Sequence, residues 1–498
     1  MTSVGLRDTK SAPAPGGSKP SGASPKWLEW RGQGVTSGWR FLVHQRDGLG
    51  ARLSSLINAL ALARRAGGTV ELDWPPMTAG DPDTHAMGPV TEIFAPAFVE
   101  RHRGPGAPKG LSGVAELGAV RDAIQSGRAP PQGVVAVRAH WRPIGHELPQ
   151  FWTAQEYRAL CRAAFDAIEF VPALEAARRK AAALPLPARA VGVHLRAGDV
   201  IYGDYRTDAR MVTKAISYPV AEAIVVQERA ARHAVILFGE DRAFMSHLAK
   251  RHAARPIADM VDLAGMSKLE RAIFEITLMT RLHRLHAGQS AFAGTAALAG
   301  PVQLAPSNGG LEPDEIVSLI RTRLAAEAAA REVAISGRQT AFACRVALRF
   351  DRLSTAAKLE PGERLALIDL ALRHDAFNAR LHIVRAAHGY AEADPEAADA
   401  ALAQAAVVAP SKELRVIFRD AIQGQGDAAG PDLRAGLEAA AAAGRPMAAF
   451  VLAVLDTEKD RVLAASRAQV YLAGRPAHLA CLDHHVGALA GTGQAPVE

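Results

Sequence analysis

Cysteine is scarce: the 498 residues hold three, Cys161, Cys344 and Cys481, far apart and without CxxC spacing. That argues against a disulfide framework or a thiolate zinc site and leaves them as buried apolar side chains. Aromatics make up only 5% of the chain, and 58 Lys and Arg are dispersed among 51 Asp and Glu. No stripe of alternating cations and stacking rings therefore marks a nucleic-acid groove. A formal charge of +7 favours anionic ligands without choosing among nucleic acid, phosphate-bearing metabolites and acidic lipids. No apolar run reaches the roughly 18 residues of a membrane-spanning helix. The N-terminal stretch MTSVGLRDTKSAPAPGGSKPSGASPKW lacks the apolar core of a signal peptide, and residues 1–37 read as a disordered lead-in. The expectation is a cytoplasmic protein without a transmembrane segment.

What is present is alternation. From Trp39, WRFLVHQRDGLGARLSSLINALALARRAGGTVELDW reads as strand, glycine turn, amphipathic helix and second strand, a β-α-β unit. GVVAVRAHW gives another strand, residues 153–183 read as helix, and LPLPAR at 184–189 reads as a hinge. A second unit follows: strand 190–195, a loop, a helix, the strand AVILFG, a helix, the helix 268–286, and the small-residue helix SAFAGTAALAG. Such alternation implies parallel sheets covered on both faces. The expected fold class is α/β, with two Rossmann-like lobes at 38–185 and 186–312 and a cleft between them. From 313 to 498 strand signals vanish, and an all-α domain is expected. Within it HDAFNARL and APSKELRV recur near the ~34-residue period of tetratricopeptide helix pairs, although an ordinary bundle fits the composition as well.

The chemistry-bearing residues gather at strand ends, where loops and helix N-termini in such sheets present unpaired N–H groups. In VGVHLRAGD, Arg196 suits a forked contact to phosphate oxygens, and Gly198 permits close backbone approach. His194 suits a phosphate, ribose or base, and Asp199 suits either orienting Arg196 or accepting from a sugar hydroxyl; a helix cap beside a surface arginine is the plain alternative. In HQRDGLGARL, Gly48 and Gly50 precede a helix, but Leu53 occupies the third glycine position of a dinucleotide fingerprint, so no such fingerprint exists. ILFGED ends a strand with Glu240 and Asp241, placed for sugar hydroxyls or for capping. Glu275 is an acidic exception in an apolar helix, set either to hold a base or to pair with Arg271, and Ser290 opens the next helix. His283 and His286 at spacing i, i+3 make a weak metal motif, and a polar face is the simpler reading.

Taken together, the glycine loop and helix ending in LDW, the HLRAGD segment, ILFGED and ERAIFEITLMTRLHRLHAGQSAF resemble the fucosyltransferase superfamily of GT-B glycosyltransferases, the group that includes α1,6- and protein O-fucosyltransferases. The resemblance spans about residues 40–305 and rests on order as well as content. It implies a GT-B-like pair of lobes and inverting, metal-independent transfer from GDP-fucose, with the nucleotide sugar as substrate and no cofactor. The acceptor is a glycan, a lipid-linked glycan or a protein. Arg196 would hold the β-phosphate, His194 the nucleotide, Glu275 the guanine and Ser290 the phosphate region. Arg196 and Asp199 are thus the catalytic pair, and His194, Gly198, Gly48, Gly50, Glu240, Asp241, Glu275 and Ser290 bind the donor. Asp47, Glu240 and Asp241 are the candidates for the acceptor-side base. Ala197 stands where the α1,2- and α1,6-enzymes carry a second arginine, and Glu275 stands for the more usual aspartate. The competing reading is a non-catalytic scaffold whose helical region docks a protein partner.

Overall fold

A computed structural model describes residues 39–45, 47–74, 87–104, 114–117, 136–138, 142–149, 151–306, 308–331, 335–409, 416–419, 431–456, 460–475, 477, 479 and 482. The 1–37 lead-in, Cys481 and most of APSKELRV lie outside these residues. Two parallel sheets carry the α/β part. The first has the order β2-β1-β4-β3, formed by β1 (Arg40–His44), β2 (Thr69–Asp73), β3 (Val114–Glu116) and β4 (Ala136–Arg138). The second has the order β7-β6-β5-β8-β9, formed by β5 (Val191–Leu195), β6 (Val235–Gly239), β7 (Arg255–Pro256), β8 (Arg284–Ala287) and β9 (Gln303–Ala305).

Strand β1 is central because Phe41, Leu42 and Val43 are all buried, and continuous apolar runs suit strands covered on both faces. Helix α1 (Leu49–Ala66) follows and is stopped by Gly67, whose φ of 74° supplies the left-handed cap that an L side chain resists. Most of α1 is buried because it lies between its sheet and the helix after β8. There Ser54 Oγ meets Thr295 Oγ1 at 2.8 Å, and Thr295 Oγ1 donates to the Gly50 carbonyl at 2.7 Å. A Cβ on Gly50 would stand 2.6 Å from the Phe292 backbone nitrogen. Glycine at this position lets the helix of one sheet reach the loop of the other.

Helices α2 (Pro96–Arg101), α3 (Ala154–Asp166) and α4 (Pro172–Ala183) complete the first half. The single helix expected over 153–183 is two, because Pro172 has no N–H to continue a helix and pushes Val171 to extended geometry. In the second half come α5 (Tyr218–Ala230), α6 (Arg242–His252), α7 (Lys268–Met279) and α8 (Ala291–Ala299). The helix expected over 268–286 ends at Met279, and Arg284–Ala287 forms strand β8 beside β5. His286 hid this strand by interrupting its apolar pattern. It bonds Glu228 at 2.7 Å, as do His233 at 2.5 Å and Arg284 at 2.9 Å. Burial opposes the Glu228 charge, but these three partners outweigh it and bring the carboxyl down to about 2. Among the described residues no group of three or more His, Cys, Asp or Glu converges to hold a metal ion.

Among the described residues from Pro313 onward the regular elements are helices: α9 (Pro313–Ala330), α10 (Gly337–Asp351), α11 (Pro361–His374), α12 (Ala379–Ala391), α13 (Pro395–Val408), α14 (Pro431–Ala442), α15 (Pro446–Asp456) and α16 (Arg461–Gly474). Along β6, Val235 and Leu237 join a core completed by Ile316 and Ile320 of α9 and Phe342 of α10, while Ile236 and Phe238 join the core shared with the first sheet. The period-two alternation of a strand thus places the second sheet between the first and the helices. Cys161 and Cys344 are buried free thiols, each pushed up to about 12 by burial. Among the described residues no single helix is long and apolar enough to cross a membrane.

Gly50→Ala should lower stability by about 1–3 kcal/mol, since neither backbone at this crossing has room to yield. Thermal melting checks this against Gly265→Ala, whose Cβ meets nothing within 4 Å and should leave the midpoint unchanged.

Candidate active site

The strand orders reverse direction on either side of β1 and of β5, and ligands in open parallel sheets bind beyond the carboxyl ends of strands at such switch points. The β1 loop carries Asp47 and Gly48, and the β5 loop carries Arg196 to Asp199. Arg196 is gripped by Asp199: its Nε donates to Oδ1 at 3.0 Å and its Nη2 to Oδ2. Asp199 lies in a π-helical turn, Gly198–Tyr202, and is buried. It therefore orients the arginine, one of the two roles its position suggested.

His194 leaves β5 beneath this pair. Its ring stacks on Phe292 with centroids 5.5 Å apart, and its Nδ1 is buried without a hydrogen-bond partner. Burial, with Arg196 adding to it, brings the imidazole down to about 4, so it is neutral at neutral pH. Ser290 begins α8, and its buried Oγ also lacks a partner. The first N–H groups of α8 have no partners inside the helix and carry its positive end. Two unsatisfied buried polar atoms and a helix N-terminus therefore stand at the adjacent ends of β5 and β8.

One segment to which the sequence reading gave no role completes the site. The chain from Gly203 runs in short helical turns to Lys214. The Gln289 N–H donates to the Thr213 carbonyl at 2.7 Å, and a Cβ on Gly288 would stand 2.3 Å from the Lys214 carbonyl oxygen. Lys214 is half-buried, and burial with the repulsion of Arg196 draws its ammonium below the ordinary lysine range, against the opposing carboxylates of Asp47, Asp199 and Asp208. Tyr205 senses the same charges, and burial raises its phenol. The segment shows no periodicity, so its only sequence signal is the cation missing at Ala197.

The remaining expected residues divide. Glu240 is exposed, and a Cβ on Gly198 would touch its Oε2 at 2.5 Å, so these two face one another. Asp241 is occupied otherwise: it caps α6 by accepting from the Phe244 N–H at 2.9 Å, and it accepts from Tyr202 at 2.5 Å and Gln339 at 2.9 Å. Glu275 takes its structural alternative, accepting from Arg271 Nε at 2.7 Å, while Arg271 Nη2 donates to the Gly239 carbonyl at 3.0 Å. Burial raises the Glu275 carboxyl despite Arg271, and Glu240 nearby adds to the rise. Gly48 precedes α1 in extended geometry, and Gly50 serves the helix crossing.

No family model and no curated protein matches the chain. Among solved structures, it is similar to fucosyltransferase NodZ from Bradyrhizobium at 15% identity and a TM-score of 0.30, covering 54% of this chain and 96% of that one. It is similar to POFUT1 in complex with GDP-fucose at 13% identity and a TM-score of 0.29, covering 54% and 98%. It is also similar to an Arabidopsis thaliana FUT1 mutant in complex with GDP at 13% identity and a TM-score of 0.34, covering 56% and 72%. The roles proposed below rest on the residues themselves.

His194 makes a pH prediction. An unfolded imidazole takes its proton near 6.5, the folded one only near 4, so between these values the unfolded chain binds more protons and stability falls as pH falls. His194→Gln should lose less stability than the parent across that window. Melting curves at pH 7, 5.5 and 4.5 check this, and parallel losses in the two proteins would contradict it.

Proposed function

We propose that the protein is an inverting glycosyltransferase that moves a sugar from a nucleoside-diphosphate donor, GDP-fucose by the motif resemblance, to a hydroxyl of a glycan, glycolipid or protein. The observation that carries this reading is the convergence of Arg196, Lys214, the unpartnered Ser290 hydroxyl and the N-terminus of α8 at one switch point. A diphosphate brings further acceptor oxygens to these cations and to the unpartnered hydroxyl and N–H groups. Residues 186–312 form the donor lobe of a GT-B-like pair in this reading and 38–185 the acceptor lobe.

In the transfer, the acceptor hydroxyl oxygen bonds the anomeric carbon while the bond from that carbon to the β-phosphate oxygen breaks, and the electron pair leaves on the phosphate. Arg196 and Lys214 meet that developing charge, Lys214 taking the place that Ala197 leaves empty. Charge neutralisation falls to side chains, with no metal or cofactor assigned a role. The acceptor proton goes to a carboxylate. Asp47 suits this best, since it is exposed, comes from the opposite sheet and acts on Lys214 and Tyr205, whereas Asp241 is committed to its cap. Neutral His194 and Ser290 gain partners in the bound nucleotide. Glu240 and the Arg271–Glu275 pair border the base end.

Calorimetric titration with GDP, UDP and NAD tests the reading. GDP should bind in preference to the others, and Arg196→Ala and Lys214→Ala should each weaken it roughly 10- to 100-fold, the worth of a charge-assisted bond of about 1.5–3 kcal/mol. Unaltered GDP affinity in both variants, or no nucleotide binding by the parent, would refute it.

A further inference from the structure

The segment Gly203–Lys214 is tied near its start to the helices that follow residue 313. At its start, the Tyr202 hydroxyl donates to Asp241 at 2.5 Å and lies 3.2 Å from Ser336 Oγ, and Gln339 of α10 donates to the same Asp241 oxygen at 2.9 Å. Further on, the Arg206 carbonyl accepts from Arg345 of α10 and, at 3.3 Å, from Asn378 Nδ2 at the start of α12. The Arg206 guanidinium lies 3.6 Å from Asp375, which also takes Arg338 and accepts from Asn378 at 2.8 Å. Asp375, Asn378 and Arg345 are all buried.

A turn serving only its own two helices needs none of this. Asn378 caps α12 through its Oδ1, and that cap would persist without any contact to a residue 172 positions away. The amide instead donates with its other atom to the segment that carries Tyr205, Asp208 and Lys214. The far end of that segment is fixed on the β8–α8 loop through Thr213 and Gln289. The segment is thus a strap from the helices to the N-terminus of α8, lying over Arg196.

We infer that the helices after residue 313 are part of the active-site machinery, and that Asp375 and Asn378 are positioning residues that hold the Gly203–Lys214 strap so that Lys214 faces the donor diphosphate. The consequence for Lys214 rests on the donor reading given above, whereas the clamp itself does not.

Two variants of the full-length protein test it. Asn378→Ser keeps a side chain that caps helices well but is too short to reach the Arg206 carbonyl, and Tyr202→Phe deletes only a hydroxyl. Hydrogen–deuterium exchange on the unliganded protein should show the amides of 203–214 exchanging at least about 10-fold faster in both variants, with α10 and α15 unchanged. Unchanged exchange in that segment overturns the clamp, whatever nucleotides do. GDP titration against pH reads the function. Lys214 feels Arg196 and Asp199 from the β5 loop, Asp47 from the β1 loop and Asp208 from its own strap, and Tyr205 of the strap feels the same four charges. Its lowered value means that GDP affinity in the parent falls at an alkaline midpoint below that of an ordinary lysine. Releasing the strap rehydrates the ammonium, so in the variants that midpoint moves up while affinity at neutral pH falls about 10-fold. Faster exchange with an unmoved midpoint and unaltered affinity overturns the positioning role. No GDP binding by the parent overturns the donor reading alone, and exchange still decides the clamp.

Discussion

Two like charges forced into one cleft, Arg196 and Lys214, are the constraint on which the rest of the site depends. Left to relax, a lysine on a surface segment would swing into water away from a guanidinium, because hydration costs nothing and the repulsion ends. Here it stays half-buried, its ammonium drawn down first by that burial and then by the guanidinium, against the opposing Asp47, Asp199 and Asp208. The N-terminus of α8 adds positive potential to the same place. These carboxylates hold the two cations in place, and in the proposed reading a cleft already set in that geometry is preorganised for the charge a donor diphosphate brings.

Holding that arrangement falls to backbone contacts too close for side chains. Gly288 lets the β8 loop touch the strap, and Gly50 lets α1 touch the start of α8. Gly239, with φ at 144°, ends β6 where a Cβ would stand 2.4 Å from the Leu195 carbonyl oxygen. These glycines bring loops from both sheets to within bonding distance of one strand end, which positions a cation more firmly than a loop in solvent can.

The sequence made strands β1, β5 and β6 legible because each is a short apolar run bounded by turn residues; it made His194 and Arg196 legible because they lie at the end of the β5 run, and Ser290 because it opens a helix of small residues. Strand β8 was hidden by His286, whose polarity is cancelled by Glu228 on a distant helix, a pairing that no local pattern reveals. Lys214 was hidden for a related reason. Its environment is assembled by tertiary contacts of a segment without periodicity, so its residue type alone said nothing. Asp241 and Glu275 were legible as charged residues at apolar ends, but their partners, Gln339 and Arg271, decide what those charges do.

Arg206 explains why the helical third belongs with this site. With Lys214 and Arg210, which pairs with Asp208 at 2.8 Å, it is one of three cations on the strap, and inside the cleft it would add to the repulsion between Arg196 and Lys214 or take up their carboxylates. Asp375 draws it to the helices instead, sharing its charge with Arg338, while the Arg206 carbonyl takes Arg345 and Asn378. A buried carboxylate so placed gains little net stability from its pairs, since desolvation offsets most of the attraction. Its worth lies in specificity: it keeps Arg206 out of the cleft and leaves that place to Arg196 and Lys214, and it does so from a helix corner that belongs to neither sheet.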